Sequence, residues 1–273
     1  MNRLTTGRAL HGLGLVAVLL FTVFPFYWMV SSSFKTQTDL LASPPLWIFT
    51  PTLEHYGEIF ADQTVTSAIW HSLIVATTTT VLALLIGTPA AFALARYEFR
   101  GKKDLWFWFI SNRMISPIVL ALPIYILAQA ANMLDTYTVL VLIYLTFNLP
   151  IVIWICTDQF RSLPSDLEQS ARLEGADQFL IFRKIYLPLA LPGIAVSAIF
   201  SFIFSWNELL YALVLTRRAV HTAPVVATSF MSGYELPWGK IMAAGTMIVL
   251  PVTIFAMLVS RHMISGLTMG ATK

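Results

Sequence analysis

The sequence predicts an all-α integral membrane protein of six transmembrane helices, and three observations predict it. The 273 residues are 57% hydrophobic, with a mean hydropathy of +0.74. Only 11% are charged, whereas soluble domains carry about 25%, so too little polar material is present to clothe a soluble core. The apolar residues also gather into six long stretches, near 10–32, 68–95, 105–127, 137–157, 190–215 and 241–262. A helix needs roughly 20 apolar residues to cross a bilayer, and a helix satisfies its own backbone in lipid.

The first stretch follows Arg3 and Arg8, the layout of a signal peptide. It continues through FPFYWMV without a small-residue cleavage site, which favours an uncleaved first helix. The second carries Pro89, and the third holds Asn112, Arg113, Pro117 and Pro123. The fourth holds Asn148, Pro150 and the lone Cys156, with Asp158 expected at its cytoplasmic interface. Asn207 and Glu208 lie in the fifth, and Pro251 in the sixth. The prolines predict kinks that neighbours or cavities must re-satisfy.

Polar residues at membrane depth face a bundle interior or a cavity. Asn112, Arg113, Asn207 and Glu208 are therefore candidates for a solute path, and hydrogen bonding within the bundle is the competing role. At 1.5 Å rise per residue, Arg113 lies about 12 Å and Glu208 about 27 Å along their spans, which separates them by about 15 Å.

Lys and Arg set orientation. With the N-terminus inside, the inner segments hold Arg3, Arg8, Arg96, Arg100, Lys102, Lys103, Arg161, Arg172, Arg183, Lys184, Arg261 and Lys273. The outer segments hold only Lys35, Arg217, Arg218 and Lys240. Both termini and the 159–189 loop are thus expected in the cytoplasm.

That loop contains PSDLEQSARLEGADQFLIFRKIYLP, a charged insert in an oily chain. Ser165 and Glu168 have the spacing of a capping box. A helix is expected from about Asp166 to Glu174, ended by Gly175 in a left-handed conformation. Asp177 is placed to cap a second helix that offers Phe179 and Phe182 as exposed aromatics. The small residues Ser170 and Ala171 admit close approach of another backbone. The residues alone leave three roles open: a docking surface for a protein, an amphipathic loop on the headgroups, or a connector.

The string EQSARLEGA, eight further residues and IYLP resembles the EAA loop of binding-protein-dependent ABC importer permeases. Gln169 stands where that family usually has Glu, with Glu168 just before it. Ser170 and Ala171 take the two Ala places, and Gly175, Ile185, Leu187 and Pro188 match. ALARYEFRGKK, WNELLYALVLT and the C-terminal GLTMGATK resemble the carbohydrate branch, of the maltose-type second-permease kind.

The resemblance implies a type I importer permease fold in one domain over 1–273, multi-pass in the bacterial cytoplasmic (inner) membrane. It implies that Glu168, Gln169, Ser170, Ala171, Gly175, Phe179 and Phe182 couple the chain to a cytoplasmic ATPase dimer. A second permease subunit and an extracytoplasmic solute-binding protein complete the implied complex. The outer segments 33–67 and 216–240 are expected to meet the binding protein. The solute is expected to be a carbohydrate: a sugar, polyol, glycoside or sugar derivative. The chain has no G-x-x-x-x-G-K-[ST] and so no P-loop of its own; it is expected to be a transport subunit rather than an enzyme, without a cofactor, and the resemblance implies ATP and Mg on the ATPase partner.

Five histidines without H-E-x-x-H give no metal site. No basic–aromatic pattern points to nucleic acid, and the surface partner is membrane lipid. The competing class is a secondary transporter working without an ATPase, which predicts an internal repeat; none stands out. An intramembrane enzyme would need a nucleophile–base or metal set, and none stands out either.

Overall fold

The computed structural model describes residues 3–230 and 236–269, with side-chain surroundings defined for 12–230 and 236–259. Parts of two expected segments, 231–235 in the last outer loop and 270–273 at the C-terminus, lie outside the described residues. All regular structure among the described residues is helical.

The helices are α1 (Arg3–Ser33), α2 (Gln37–Leu41), α3 (Glu54–Asp62), α4 (Thr64–Arg96), α5 (Lys102–Asn112), α6 (Pro117–Ala130) and α7 (Tyr137–Ser162). There follow α8 (Asp166–Leu173), α9 (Gln178–Ile181), a π-helical turn (Phe182–Tyr186), α10 (Leu187–Leu189), α11 (Leu191–Trp206), α12 (Leu210–Leu215), α13 (Ala223–Ser229) and α14 (Trp238–Met269).

Four of the expected spans are single helices long and apolar enough to cross a membrane: Gly12–Ser33, α4, α7 and Trp238–Val259. The third and fifth are bent pairs. α5 and α6 meet at 96°, and Gln178–Leu189 meets α11 at 73°. Counting each pair as one span gives up to six, although Gln178–Leu189 lies in the charged 159–189 loop, ahead of the expected fifth span. The break after Asn112 follows from Pro117, which takes the first turn of α6, where its missing N–H costs nothing. The expected fifth span, 190–215, is also cut short. α11 ends at Trp206, and α12 starts as a separate helix at Leu210.

The chain forms two compact units, one of Met1–Thr66 with Ala227–Leu250 and one of Ser67–Val226 with Pro251–Lys273. In the first unit Lys35 is buried at the end of α1. Its ammonium donates to the Leu46 carbonyl at 2.7 Å and lies over the rings of Trp28 and Phe49. A buried cation must be paired or solvated by dipoles; here a carbonyl and two π faces do this and hold the 36–52 segment against α1. His55 on α3 bonds the Lys35 carbonyl at 2.9 Å. Gly239 at the start of α14 presses on the His55 ring where a Cβ would collide.

In the second unit α7 is the core helix: 61% of its most apolar stretch is buried, against none for α1. Small residues set the approach distances. A Cβ on Gly87 of α4 would lie 2.7 Å from Val152, and one on Gly193 of α11 would lie 2.7 Å from Gln159. Such residues let apolar helices pack at close range in lipid.

Candidate functional site

The elbow at 165–189 forms largely as its residues dictate. α8 runs Asp166–Leu173. Gly175 has φ +85°, and the Ala176 N–H bonds the Ala171 carbonyl at 2.9 Å, the six-to-one closure of a Schellman end. Asp177 Oδ1 accepts the Leu180 N–H at 2.7 Å and caps α9.

Two expectations fail. Ser165 has helical φ and ψ, and its side chain makes no cap bond. The Glu168 carboxylate is instead drawn off by Arg172 at 2.5 Å and by the Tyr186 hydroxyl at 3.1 Å. Phe182 is not an exposed aromatic. It packs against Phe92 at 5.0 Å and Phe160 at 6.3 Å, because the π-helical turn puts Phe182 and Tyr186 on the same inward side.

The remaining coupling candidates divide by face. Ala171 is buried and the Glu168 side chain nearly so, while Gln169, Ser170 and Gly175 are exposed. Phe179 is 67% exposed and is joined by Leu173 at 91%, a residue that sequence reasoning passed over. Leu167 and Leu180 are also exposed.

A second constellation lies where the bent third span meets α7, α11 and α12. A cavity of about 240 Å³ is lined by Asn112, Arg113, Thr146, Phe147, Phe204, Glu208 and Tyr211, among others. Asn112 Nδ2 donates to the Thr146 carbonyl at 3.0 Å. That carbonyl would normally accept the N–H four residues on, but residue 150 is proline and has none. Arg113 donates to the Phe147 carbonyl at 3.0 Å and lies over the Phe204 ring at 5.2 Å. Asn112 thus repairs the proline gap in α7, with Arg113 bonded one residue further on.

Glu208 sits just before α12 and accepts the N–H groups of Tyr211 (2.9 Å) and Ala212 (3.1 Å) and the Tyr144 hydroxyl (2.9 Å). It is a helix cap as well as a cavity wall. Asn148, fully buried, donates to the Tyr144 carbonyl and to Ser205 Oγ. Asn207 donates back to the Ile203 carbonyl of its own helix and does not line the cavity. Asp158 is exposed beside Arg161.

Arg113 and Glu208, reckoned about 15 Å apart in depth and so not a direct pair, nevertheless wall one cavity. Counting rise along a straight helix fails where one span turns through 96° and the other ends at Trp206. Among the described residues no ion pair joins them. Tyr211 in the cavity wall and Tyr144, buried with its hydroxyl on Glu208, were missed because nothing in their sequence context separates them from packing tyrosines. Thr146 had a signal: it stands four residues before Pro150.

In the second unit, Asp135 at φ +61° accepts the backbone N–H groups of Arg217, Arg218, Ala219 and Val220 at 2.9–3.1 Å. Burial would raise its pKa, but the four donors outweigh burial and hold it at about 2.

The structure is an all-α bundle with helices of membrane-crossing length, a cavity lined in part by polar side chains, and a helix–glycine–helix elbow. The chain belongs to the family of binding-protein-dependent transport system inner membrane components, whose model matches residues 83–268. It is therefore a multi-pass inner-membrane permease of an ABC importer, without ATPase activity of its own. A secondary transporter working without an ATPase is thereby set aside.

The chain is 38% identical to the trehalose transport system permease protein SugB of Mycobacterium tuberculosis, over 93% of this chain and 93% of that one. It is 33% identical to the diacetylchitobiose uptake system permease protein DasC of Streptomyces coelicolor, over the full length of both. Its fold matches a chain in the crystal structure of a bacterial ABC transporter involved in import of the acidic polysaccharide alginate. The TM-score is 0.74 at 19% identity, covering 96% of this chain and 98% of the other.

Proposed function

We propose that this permease moves a carbohydrate into the cytoplasm, together with a second permease subunit, an ATPase dimer that holds ATP and Mg, and an extracytoplasmic solute-binding protein. The observation that carries the solute class is likeness along nearly the whole chain to permeases named for trehalose and diacetylchitobiose, both glycosides. The cavity combines amide, guanidinium and carboxylate groups with the rings of Phe147, Phe204 and Tyr211, the mix of apolar walls and a few polar groups usual in small-molecule sites.

In this reading α8 and α9 face the cytoplasm, as do both termini. Leu173 and Phe179 form the apolar anchor of the ATPase contact, Gln169 and Ser170 flank it, and Gly175 sets the angle. Glu168, Ala171 and Phe182 serve the same contact from behind, by fixing the posture of α8 and α9. The outer segments 33–67 and 216–240 receive the solute-binding protein.

The test is ATP hydrolysis by the complex reconstituted in proteoliposomes with its ATPase and binding protein, against trehalose, maltose, chitobiose, glycerol and an amino-acid mixture. Stimulation by at least one glycoside and none by the amino acids is expected. Stimulation by amino acids alone rejects a carbohydrate solute.

A further inference from the structure

The last residue of α4 occupies an unusual position. The carbonyl of Phe160, in the final turn of α7, has no donor four residues on, because residue 164 is proline. One terminal nitrogen of Arg96 donates to that carbonyl at 2.8 Å and to the Leu163 carbonyl at 2.6 Å. The guanidinium also lies over the Tyr186 ring, 4.4 Å from its centre.

Tyr186 is fully buried, its ring packed on Phe92 at 5.1 Å and Phe160 at 6.3 Å. Its hydroxyl donates to Glu168 Oε2 on α8 at 3.1 Å, and Arg172 holds the other oxygen of that carboxylate. A parallel tie runs from the Tyr97 hydroxyl, one residue past α4, to Gln178 on α9 at 2.5 Å.

We propose that Arg96 and Tyr186 form the joint that fastens α8 to the ends of α4 and α7, and that both are positioning residues for the transfer of motion from the ATPase to the bundle. The proposal rests on α8 being the docking element. A push on the outer face of α8 moves Glu168. Glu168 is bonded to Tyr186, Tyr186 is wedged in an aromatic cluster, and Arg96 locks that cluster to the carbonyl end of α7. Each link is a direct contact, and packed aromatic groups shift as a unit rather than deforming continuously. Simple packing would explain the rings. It does not explain a directed polar contact at each end of them.

Two variants isolate the ends. Tyr186→Phe keeps the ring and removes the hydroxyl; Arg96→Lys keeps the charge and a carbonyl donor but loses the plane that stacks on Tyr186. The readouts are ATP hydrolysis by the reconstituted complex and the change on ATP–vanadate trapping in maleimide labelling of Ile115→Cys, a reporter in the cavity wall. The native Cys156 is fully buried, and its background is measured without the reporter.

Both variants are expected to keep hydrolysis within about twofold, while the trapping-induced change in labelling falls about three- to tenfold, the effect of losing one hydrogen bond or stacking contact. Gly175→Val serves as the control for the docking reading. If it abolishes the labelling change while the joint variants retain it, the joint is wrong and the elbow stands. If the joint variants reduce the change and Gly175→Val does not, the joint stands and the glycine reading falls. A proportional fall of hydrolysis and labelling change in both variants means a purely structural role and overturns the proposal.

Discussion

At the scale of the residue, identical side chains in the elbow have opposite duties. Phe179 is open, whereas Phe182 fills the space between Phe92 and Phe160. Phe182→Ala should destabilise the second unit by about 2–3 kcal/mol, somewhat below the full cost for a core phenylalanine because the ring is only partly buried. Phe179→Ala should leave thermal unfolding of the detergent-purified chain unchanged while weakening capture of the ATPase about tenfold or more, the behaviour of an interface anchor. Equal effects of the two on unfolding would contradict the inward packing of Phe182.

Glu208→Ala would strip the Tyr144 hydroxyl and two N–H groups of their acceptor. A loss of about 1–3 kcal/mol per buried orphaned group is expected, so this variant should unfold earlier. Glu208→Gln keeps an acceptor and should affect stability less. Transport assays of Glu208 are interpretable only in the glutamine variant.

At the scale of the element, Gly175 and Asp135 show two ways of fixing a corner. Gly175 at φ +85° uses a conformation that costs an L-residue about 1–2 kcal/mol, and Gly175→Val must either strain the corner or re-aim α9. The expected result is hydrolysis that persists while uptake fails, read as the ratio of the two in proteoliposomes.

Asp135 instead fixes the 217–220 segment through charge. Its folded pKa, about 2, lies below the unfolded carboxylate value of about 4. The anchorage is therefore complete above about pH 4 and is lost as pH falls toward 2. Limited proteolysis should find the bonds after Arg217 and Arg218 protected at neutral pH. Asp135→Asn should expose them there, because a neutral amide accepts these N–H groups less strongly. Unchanged cleavage in the variant would show that other contacts hold the segment.

At the scale of the molecule, a mostly apolar chain has gathered its charge into a small number of places. The Lys and Arg rule expects twelve of the seventeen, and the elbow with them, on the cytoplasmic side. Cysteine substituted at Asp166 should react with a membrane-impermeant maleimide only in inside-out vesicles. Reaction in right-side-out vesicles would reverse the orientation and remove α8 from the reach of any cytoplasmic ATPase. The two bent pairs matter at this scale too. A span broken at Arg113 brings polar side chains and a repaired proline gap to the wall of a cavity, and unsatisfied backbone is tolerated at membrane depth only in such a place.

Composition and run length by themselves determined that the chain crosses a membrane, because burial of apolar helices in lipid is read from consecutive residues. The elbow was legible for the same kind of reason: Gly175 and Asp177 act on neighbours a few residues away. Tertiary structure alone decided which phenylalanine faces out, where Glu168 spends its charge, and that Arg113 and Glu208 share a cavity. Each of these depends on groups brought together from distant parts of the chain, or on a helix that turns where its pattern continues. Hydrophobic periodicity records neither the angle of a bend nor the partner of a carboxylate.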